Sequence, residues 1–373
     1  MTFTLRARRV LTGEAELSPG HVRVEDGVIT SVTAEPPGGP VTDLGDHDLL
    51  PGLVDLHSDC WYQRARPRPS ARFPLGQALV MLDTEVVSWG ITTHFTCLAL
   101  QDDTTAGRTL DEAAEAAAIV AAAGGLRADH RTHLRVEATM RRLDVVAELA
   151  ALPRAGMLSY MDHTPGQGQF RREADWRAYY AGTGEPDLDA LLAGRRARQP
   201  HTDATRKDLA ALAVAYGLAL ASHDDDTPGR AAQAHALGAV IAEFPVTAGA
   251  AHRAHELGLT VVMGAPNAMR GGSHVAGNLS ARDTLAAGHL GALTSDYHPP
   301  SLLGAIYCLA DAGLCDLATS VGLATAGPAR AAGLTDRGVL RPGARADLVA
   351  VTRKAGLPVA TQTWIAGEPA FGF

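Results

Sequence analysis

The sequence predicts an α/β chain whose body is a (β/α)8 barrel, with a small β-sandwich built from its two ends. Short apolar runs alternate with longer helical patterns through the middle of the chain, as in repeated βα units around a parallel sheet. Eight such runs can be counted, the number a closed barrel needs. Strand-like segments broken by Gly, Pro and Asp occupy both ends.

At the N-terminus these segments are TFTLRARRVL, HVRVEDGVITSV and VTDLGDHDLL; at the C-terminus they are RGVLRPGARADLVAVTRKAG and TQTWIAGEPA. Residues 1–50 and 338–373 are therefore expected to form one small β-sandwich, with residues 51–337 forming the barrel. The barrel strands are read as PGLVDLH, GITTHFTCL, THLRVEAT, GMLSYMDH, GLALASH, GAVIAEF, GLTVVMGA and GALTSDY. The Ala-rich run Leu110–Ala123 and the stretch Asp203–Tyr216 suit an outer ring of helices. The segment from Gln167 to Gln199 is longer and more polar than a plain βα loop and is read as an insertion over the active site.

The 373 residues are 46% hydrophobic and 20% charged, enough to bury a large core. A net charge of −8 argues against a protein that wraps nucleic acid or coats an anionic membrane, since both need a broad basic surface. The opening MTFTLRARRVLTG lacks the apolar core of a signal peptide, and no run reaches the ~18 apolar residues of a membrane span. A cytoplasmic protein is expected. Cys60, Cys97, Cys308 and Cys315 show no CxxC spacing, so they read as reduced, mostly buried thiols.

Several strands end in metal-ligand types: His57 and Asp59 after the first, Glu137 in the third, His163 after the fourth, His223 after the fifth and Asp296 after the eighth. In a barrel these C-terminal ends converge on one mouth. His57 and Asp59, two residues apart, point to the same side and can grip one ion, while Glu137 can bridge to a second. Two ions lower the pKa of a water and clamp an electrophile's oxygen, and Asp296 is placed to take the proton. His94, His130, His133, His201, His235, His252, His255 and His289 lie mid-strand or on helical stretches and read as packing or surface residues. The metal is open among Zn²⁺, Mn²⁺ and Fe²⁺, with zinc the default for His and carboxylate donors.

PGLVDLHSD behind an N-terminal strand region, with SDY near the end, resembles the amidohydrolase superfamily. The runs MDHTPGQGQF, ASHDDDTP, AEFPVT, MGAPNAMRGGSHVAGN and SDYHPPSLL resemble, in order, the α-D-ribose 1-methylphosphonate 5-triphosphate diphosphatases of the carbon–phosphorus lyase pathway. The resemblance implies hydrolysis of a ribose 5-triphosphate at its α-phosphate with release of pyrophosphate, in phosphonate catabolism. It implies two divalent ions on His57, Asp59, Glu137, His163, His223 and Asp296, and a phosphorylated ribose as the partner, with homo-oligomers common among superfamily relatives. In better-known members the two later histidines sit on strands five and six, whereas this count puts His163 and His223 on four and five. A deacetylase, deaminase or cyclic-amide hydrolase acting on a phosphorylated or nucleoside-like substrate is the alternative, because one barrel hosts many chemistries.

Such a polyanion in the mouth of an acidic protein needs local donors. QRARPRPSAR offers Arg64, Arg66, Arg68 and Arg72 just after the first metal motif. NAMRGGSHVAGN offers Arg270, Ser273, His274 and Asn278 beside glycines that let backbone N–H groups approach an anion. Gln167, Gln169 and Phe170 follow His163, and Asp224, Asp225 and Asp226 follow His223, where one of them can orient a ligand.

Overall fold

The computed structural model describes residues 1–68, 70–102, 108–122, 124–182 and 187–372. Eight parallel strands run in sequence order around one sheet: β1 (Leu53–Ser58), β2 (Ile91–Leu100), β3 (Asp129–Glu137), β4 (Ala155–Met161), β5 (Ala219–His223), β6 (Ile241–Glu243), β7 (Thr260–Gly264) and β8 (Leu290–Thr294). A parallel bridge between Ser58, the last residue of β1, and Asp296, two residues past β8, closes the ring. β1 is buried at every position and β2 likewise, the continuous burial expected of strands covered on both faces.

Helices pack around this ring through small side chains, among them Ala113, Ala116 and Ala117 of the helix Leu110–Ala122. The expected end of that helix at Ala123 lies outside the described residues. The second expected helix runs from Thr202 to Tyr216 and stops at Gly217, whose φ of 65° is a left-handed C-cap that a glycine adopts without strain. No helix among the described residues is long and apolar enough to cross a membrane.

The chain ends build two further sheets. Four strands, Val28–Thr33, Gly20–Glu25, Thr2–Ala7 and Thr42–Asp43, form one; Glu368–Phe371, Leu357–Ile365, Leu348–Lys354, Asp48–Pro51, Arg9–Leu11 and Glu16–Leu17 form the other. Both contribute to one cluster containing Leu5, Val24, Ile29, Leu49, Leu348 and Trp364. The antiparallel pairing of Leu348 with Pro51 places the C-terminal segment against the strand that leads into β1. Between them Gly52 passes so close to the barrel that an added Cβ would lie 2.1 Å from Thr92 Oγ1, so only glycine fits.

The insertion after β4 holds α1 (Glu173–Ala181) and α2 (Leu188–Arg198). Phe170, Trp176, Tyr180 and Leu192 give it an apolar core of its own. All four cysteines are free; Cys60 and Cys97 are buried and Cys308 and Cys315 partly so.

Candidate metal centre and active site

The strand ends on the C-terminal side of the barrel surround a cavity of about 320 Å³, lined by His57, Asp59, His163, His223 and Asp296. β1 and β8 are stitched together there: the Asp296 N–H donates to His57 O at 2.9 Å and the Asp59 N–H to Asp296 O at 2.8 Å. Beneath them Asp55 accepts from Thr294 Oγ1 at 2.6 Å and from Ser295 N and Oγ at 2.9 and 2.6 Å. Thr294 Oγ1 in turn accepts the His57 N–H at 2.7 Å. His57, Asp59 and Asp296 each present a donor atom within 4.8 Å of the others. Asp59 stands at the N-cap position of the short helix Cys60–Ala65 yet makes no side-chain cap. Its carboxylate turns to the cavity instead, 3.8 Å from His57 Nε2.

Glu243, at the end of β6, is a residue the sequence reading missed. It is 1% exposed, and one oxygen lies 2.9 Å from His57 Nδ1. The other lies 3.7 Å from His223 Nε2 and 3.8 Å from His133 Nε2. His57, His223 and Glu243 form a second compact group, and His57, Cys97 and His133 a third. His133, read from sequence as a packing residue, is thus in the site. Its inward parity with Arg135 and Glu137 along β3 was the signal available. It is held by Leu56 O at 3.1 Å and Ser159 Oγ at 2.7 Å, and burial keeps it neutral, pushing its pKa to about 3.

Glu137 stands against His163. It was expected to bridge two ions, but Oε1 accepts the His163 N–H and Oε2 faces His163 Nδ1, each at 2.9 Å. It occurs in none of the compact ligand groups among the described residues. With both oxygens engaged it orients His163, a carboxylate–histidine arrangement that aims the other ring nitrogen at the cavity. That nitrogen, Nε2, is 3.7 Å from Asp224 Oδ2, and Asp224 Oδ2 is 3.1 Å from His223 Nδ1. The strand count also resolves: His163 follows β4, His223 ends β5, and β6 contributes Glu243 in place of a histidine.

A cation fits the chemistry of these donors. His57 Nδ1, Asp59 Oδ1, both nitrogens of His223, Asp224 Oδ2 and both oxygens of Glu243 are buried without a hydrogen-bond partner in acceptable geometry. Buried polar atoms in that condition are costly, and lone pairs converging in such numbers suit a divalent ion. Asp224, Phe244 and Asp296, each one or two residues beyond a strand end, hold left-handed φ values of 59°, 52° and 57°. Non-glycine residues accept that strain where side chains must be aimed.

Asp296 differs from its neighbours electrostatically. Burial drives its pKa up to about 6; nearby His57 opposes this and Asp59 adds to it. Asp59 goes the other way despite its burial, held well below the usual carboxylate range by Arg135 at 3.6 Å and Arg108 at 3.9 Å. One carboxylate is thus held ionised while the other is poised near neutrality, a pairing that separates a charge-holding role from a proton-accepting one.

The expected anion donors divide. Gln169, Arg270, Ser273, His274 and Asn278 line the cavity, and Gln169 Nε2 approaches His274 Nε2 at 3.4 Å. Gln167 does not; it accepts from Arg230 at 2.9 Å in an adjoining crevice. Arg64, Arg66 and Arg68 do not line the cavity either. The chain coils into a helix at Cys60, which carries Arg64 onto Glu85 with Nε 2.8 Å from Oε2, while Arg66 pairs with Glu112 and Arg68 is exposed. The arginines that reach the cavity are Arg108, Arg135 and Arg270. Phe170, Tyr179 and Tyr180 of the insertion cover one side of it.

No protein-family model matches the chain. It is 37% identical over 373 residues to the alpha-D-ribose 1-methylphosphonate 5-triphosphate diphosphatase of Escherichia coli K12, covering 96% of this chain and 97% of that one. Among solved structures, N-acetyl-D-glucosamine-6-phosphate deacetylase from Mycobacterium smegmatis matches with a TM-score of 0.66 at 18% identity, covering 99% of this chain and 100% of that one. An amidohydrolase from a Sargasso Sea environmental sample matches with a TM-score of 0.58 at 17% identity, covering 99% and 92%. At these identities the two structures speak to fold alone. Sequence agreement at this level over nearly the whole length of both chains shows that this chain belongs to the family of the E. coli alpha-D-ribose 1-methylphosphonate 5-triphosphate diphosphatase.

Proposed function

We propose that the chain is a metal-dependent hydrolase that cleaves the α–β phosphoanhydride of α-D-ribose 1-methylphosphonate 5-triphosphate, or a related ribosyl 5-triphosphate, to the 5-phosphate and pyrophosphate in phosphonate catabolism. The observation that carries this reading is the cavity wall, where a cluster of cation donors is faced by Arg108, Arg135, Arg270 and His274. An uncharged amide or ring substrate has no use for three guanidinium groups and a monophosphate needs fewer, whereas a triphosphate brings several charges to meet them. The name of the relative at 37% identity supports the same choice.

His57, Asp59 and Asp296 would hold one divalent ion, and His223, with His163 beside it across Asp224, the second. Zinc is the default for such donors. When bound, the ions would supply Lewis acidity toward the phosphoryl oxygen and an acidified water. Glu137 fixes the ring of His163 through Nδ1, while Glu243, grouped with His57 and His223, is a further candidate ligand. Asp296, in one group with His57 and Asp59 at the barrel mouth, accepts the proton of the attacking water. The aromatic side of the insertion excludes bulk water from the reacting group.

The test is a panel of ribosyl and nucleoside triphosphates assayed for pyrophosphate, run against N-acyl and cyclic-amide compounds assayed for acetate and ammonia. Pyrophosphate from a ribosyl triphosphate is expected. Acetate or ammonia without pyrophosphate rejects the reading in favour of an amide-type hydrolase on the same barrel.

A further inference from the structure

We propose that Arg135 is a catalytic residue that binds the non-bridging oxygens of the phosphoryl group under attack, with Arg108 and Arg270 receiving the rest of the polyphosphate chain toward solvent. The proposal rests on the phosphoanhydride reading above.

Arg135 sits in the middle of three inward residues of β3. Below it His133 is fixed by Leu56 O and Ser159 Oγ; above it Glu137 is bound to His163. At the level between, the Arg135 side chain is 12% exposed and its Nη2 lies 3.6 Å from Asp59 Oδ2, an ion pair too long for a hydrogen bond. Its Nε is buried with no acceptor at all. A buried guanidinium carries five N–H donors, and leaving them unanswered is costly unless a ligand supplies acceptors. Arg206, another buried arginine, by contrast donates to Asp203 at 2.7 Å, Thr202 at 3.2 Å and Asp162 at 3.4 Å.

The position of Arg135 sets what it can reach. Asp59 belongs to the compact group with His57 and Asp296, so an oxyanion drawn to a cation held by that group would come alongside Arg135. Arg108, a quarter exposed, lies 3.9 Å from Asp59 and is held 4.5 Å over the Tyr62 ring, a cation–π seat that keeps its donors free. Arg270 is exposed at the rim of the same cavity. The three cations thus run from floor to rim, the layout a linear polyphosphate requires and a single phosphate does not. In the reaction a water oxygen bonds to the α-phosphorus, the α–β bridging P–O bond breaks with its electron pair leaving on pyrophosphate, and the water proton passes to Asp296. The charge that grows on the α-phosphoryl oxygens is what Arg135 meets.

The test uses the metal-loaded protein, Arg135→Gln and Arg135→Lys, with inorganic tripolyphosphate as the calorimetric probe, metal content by mass spectrometry and kcat for pyrophosphate release. Arg135→Gln is expected to keep the wild-type metal stoichiometry, bind tripolyphosphate at least tenfold more weakly and lose on the order of 10²–10³ in kcat, with Arg135→Lys recovering part of both. Wild-type affinity and kcat in Arg135→Gln overturn the proposal. So does loss of metal in both variants, which would make Arg135 a structural partner of Asp59. Failure of the functional reading shows separately, as wild-type protein that releases no pyrophosphate from any triphosphate, and takes this proposal with it.

Discussion

The backbone N–H of Asp59 donates to the carbonyl of Asp296 at 2.8 Å, so the first and last strands of the barrel meet at the two carboxylates proposed to share an ion. Barrel closure and the candidate centre are the same set of contacts. Asp296→Asn keeps this backbone link and the side-chain shape but removes the proton acceptor. It should retain metal while kcat falls by roughly 10²–10⁴. Mass-spectrometric metal content beside steady-state rates checks this, and full activity would strip Asp296 of its role.

Glu243→Gln tests the residue that periodicity did not reveal. The amide keeps the shape and one oxygen but gives up the negative charge that Glu243 brings to its group with His57 and His223. Metal affinity should drop about 10–100-fold, the usual cost of losing such a partner. Competition titration against a chromogenic chelator measures it directly.

Metal removal should destabilise the protein as well as silence it. The seven buried orphan atoms on His57, Asp59, His223, Asp224 and Glu243 have no other partner in acceptable geometry, so an ion that binds only the folded state adds its binding free energy to stability. At a metal concentration of 100 Kd the gain is about 2.7 kcal/mol, seen as a Tm that falls on chelation and returns on reloading. An unchanged Tm with activity lost would place the ion outside this cluster.

Away from the cavity, Asp48 should set the acid limit of the fold. It is buried, accepting from Arg8 at 2.9 Å, Arg9 at 2.7 Å and Tyr307 at 2.9 Å, and so ties the N-terminal strands to a barrel helix. Burial works to raise its pKa, but Arg9 and its other donors bring it below the ordinary value of 3.8. A depressed folded pKa means the stabilisation is whole above the unfolded value and drains away as pH falls through the folded one. Asp48→Asn should cost about 3 kcal/mol at neutral pH and show a smaller further loss below about pH 4 than wild type, in urea melts at several pH values.

Trp176→Ala should open the insertion without touching the ions. Its ring is fully buried against Phe170, Tyr180 and Leu192, in a core detached from the main one. Loss of about 3–5 kcal/mol of local packing exceeds what so small a cluster can spare, so α1 and α2 should loosen. Faster hydrogen exchange confined to Glu173–Ala181 and Leu188–Arg198, with KM raised and metal content normal, is the expected pattern.

Much of this was legible beforehand because the relevant signals are local. Each barrel strand is a short apolar run, and a histidine or acid at its C-terminal end, such as His57 or Asp296, declares itself by position. Glu243 obeyed the same rule but ends a strand of only three residues, too short for its inward parity to stand out. His133 was lost by treating mid-strand histidines as packing, although its i, i+2, i+4 relation to Arg135 and Glu137 was readable. Glu137 itself illustrates the limit: sequence places a carboxylate in the mouth, but whether it meets an ion or a neighbouring imidazole depends on where the chain after β4 turns back. Arg64 and Arg66 failed for a related reason, since a short helix at Cys60 rotates them outward and no pattern in QRARPRPSAR marks it.

The antiparallel pairing of Pro51 with Leu348 also bears on biogenesis. The strand that delivers the chain into β1, and so to His57, pairs on one side with Arg9 and Val10 but finds its other neighbour only after the whole barrel has left the ribosome. Contacts between segments so distant in sequence form late and slowly. A nascent chain halted before residue 348 would therefore carry every candidate ligand yet lack the brace beside the first of them, which makes the last strands a checkpoint for assembling a competent centre.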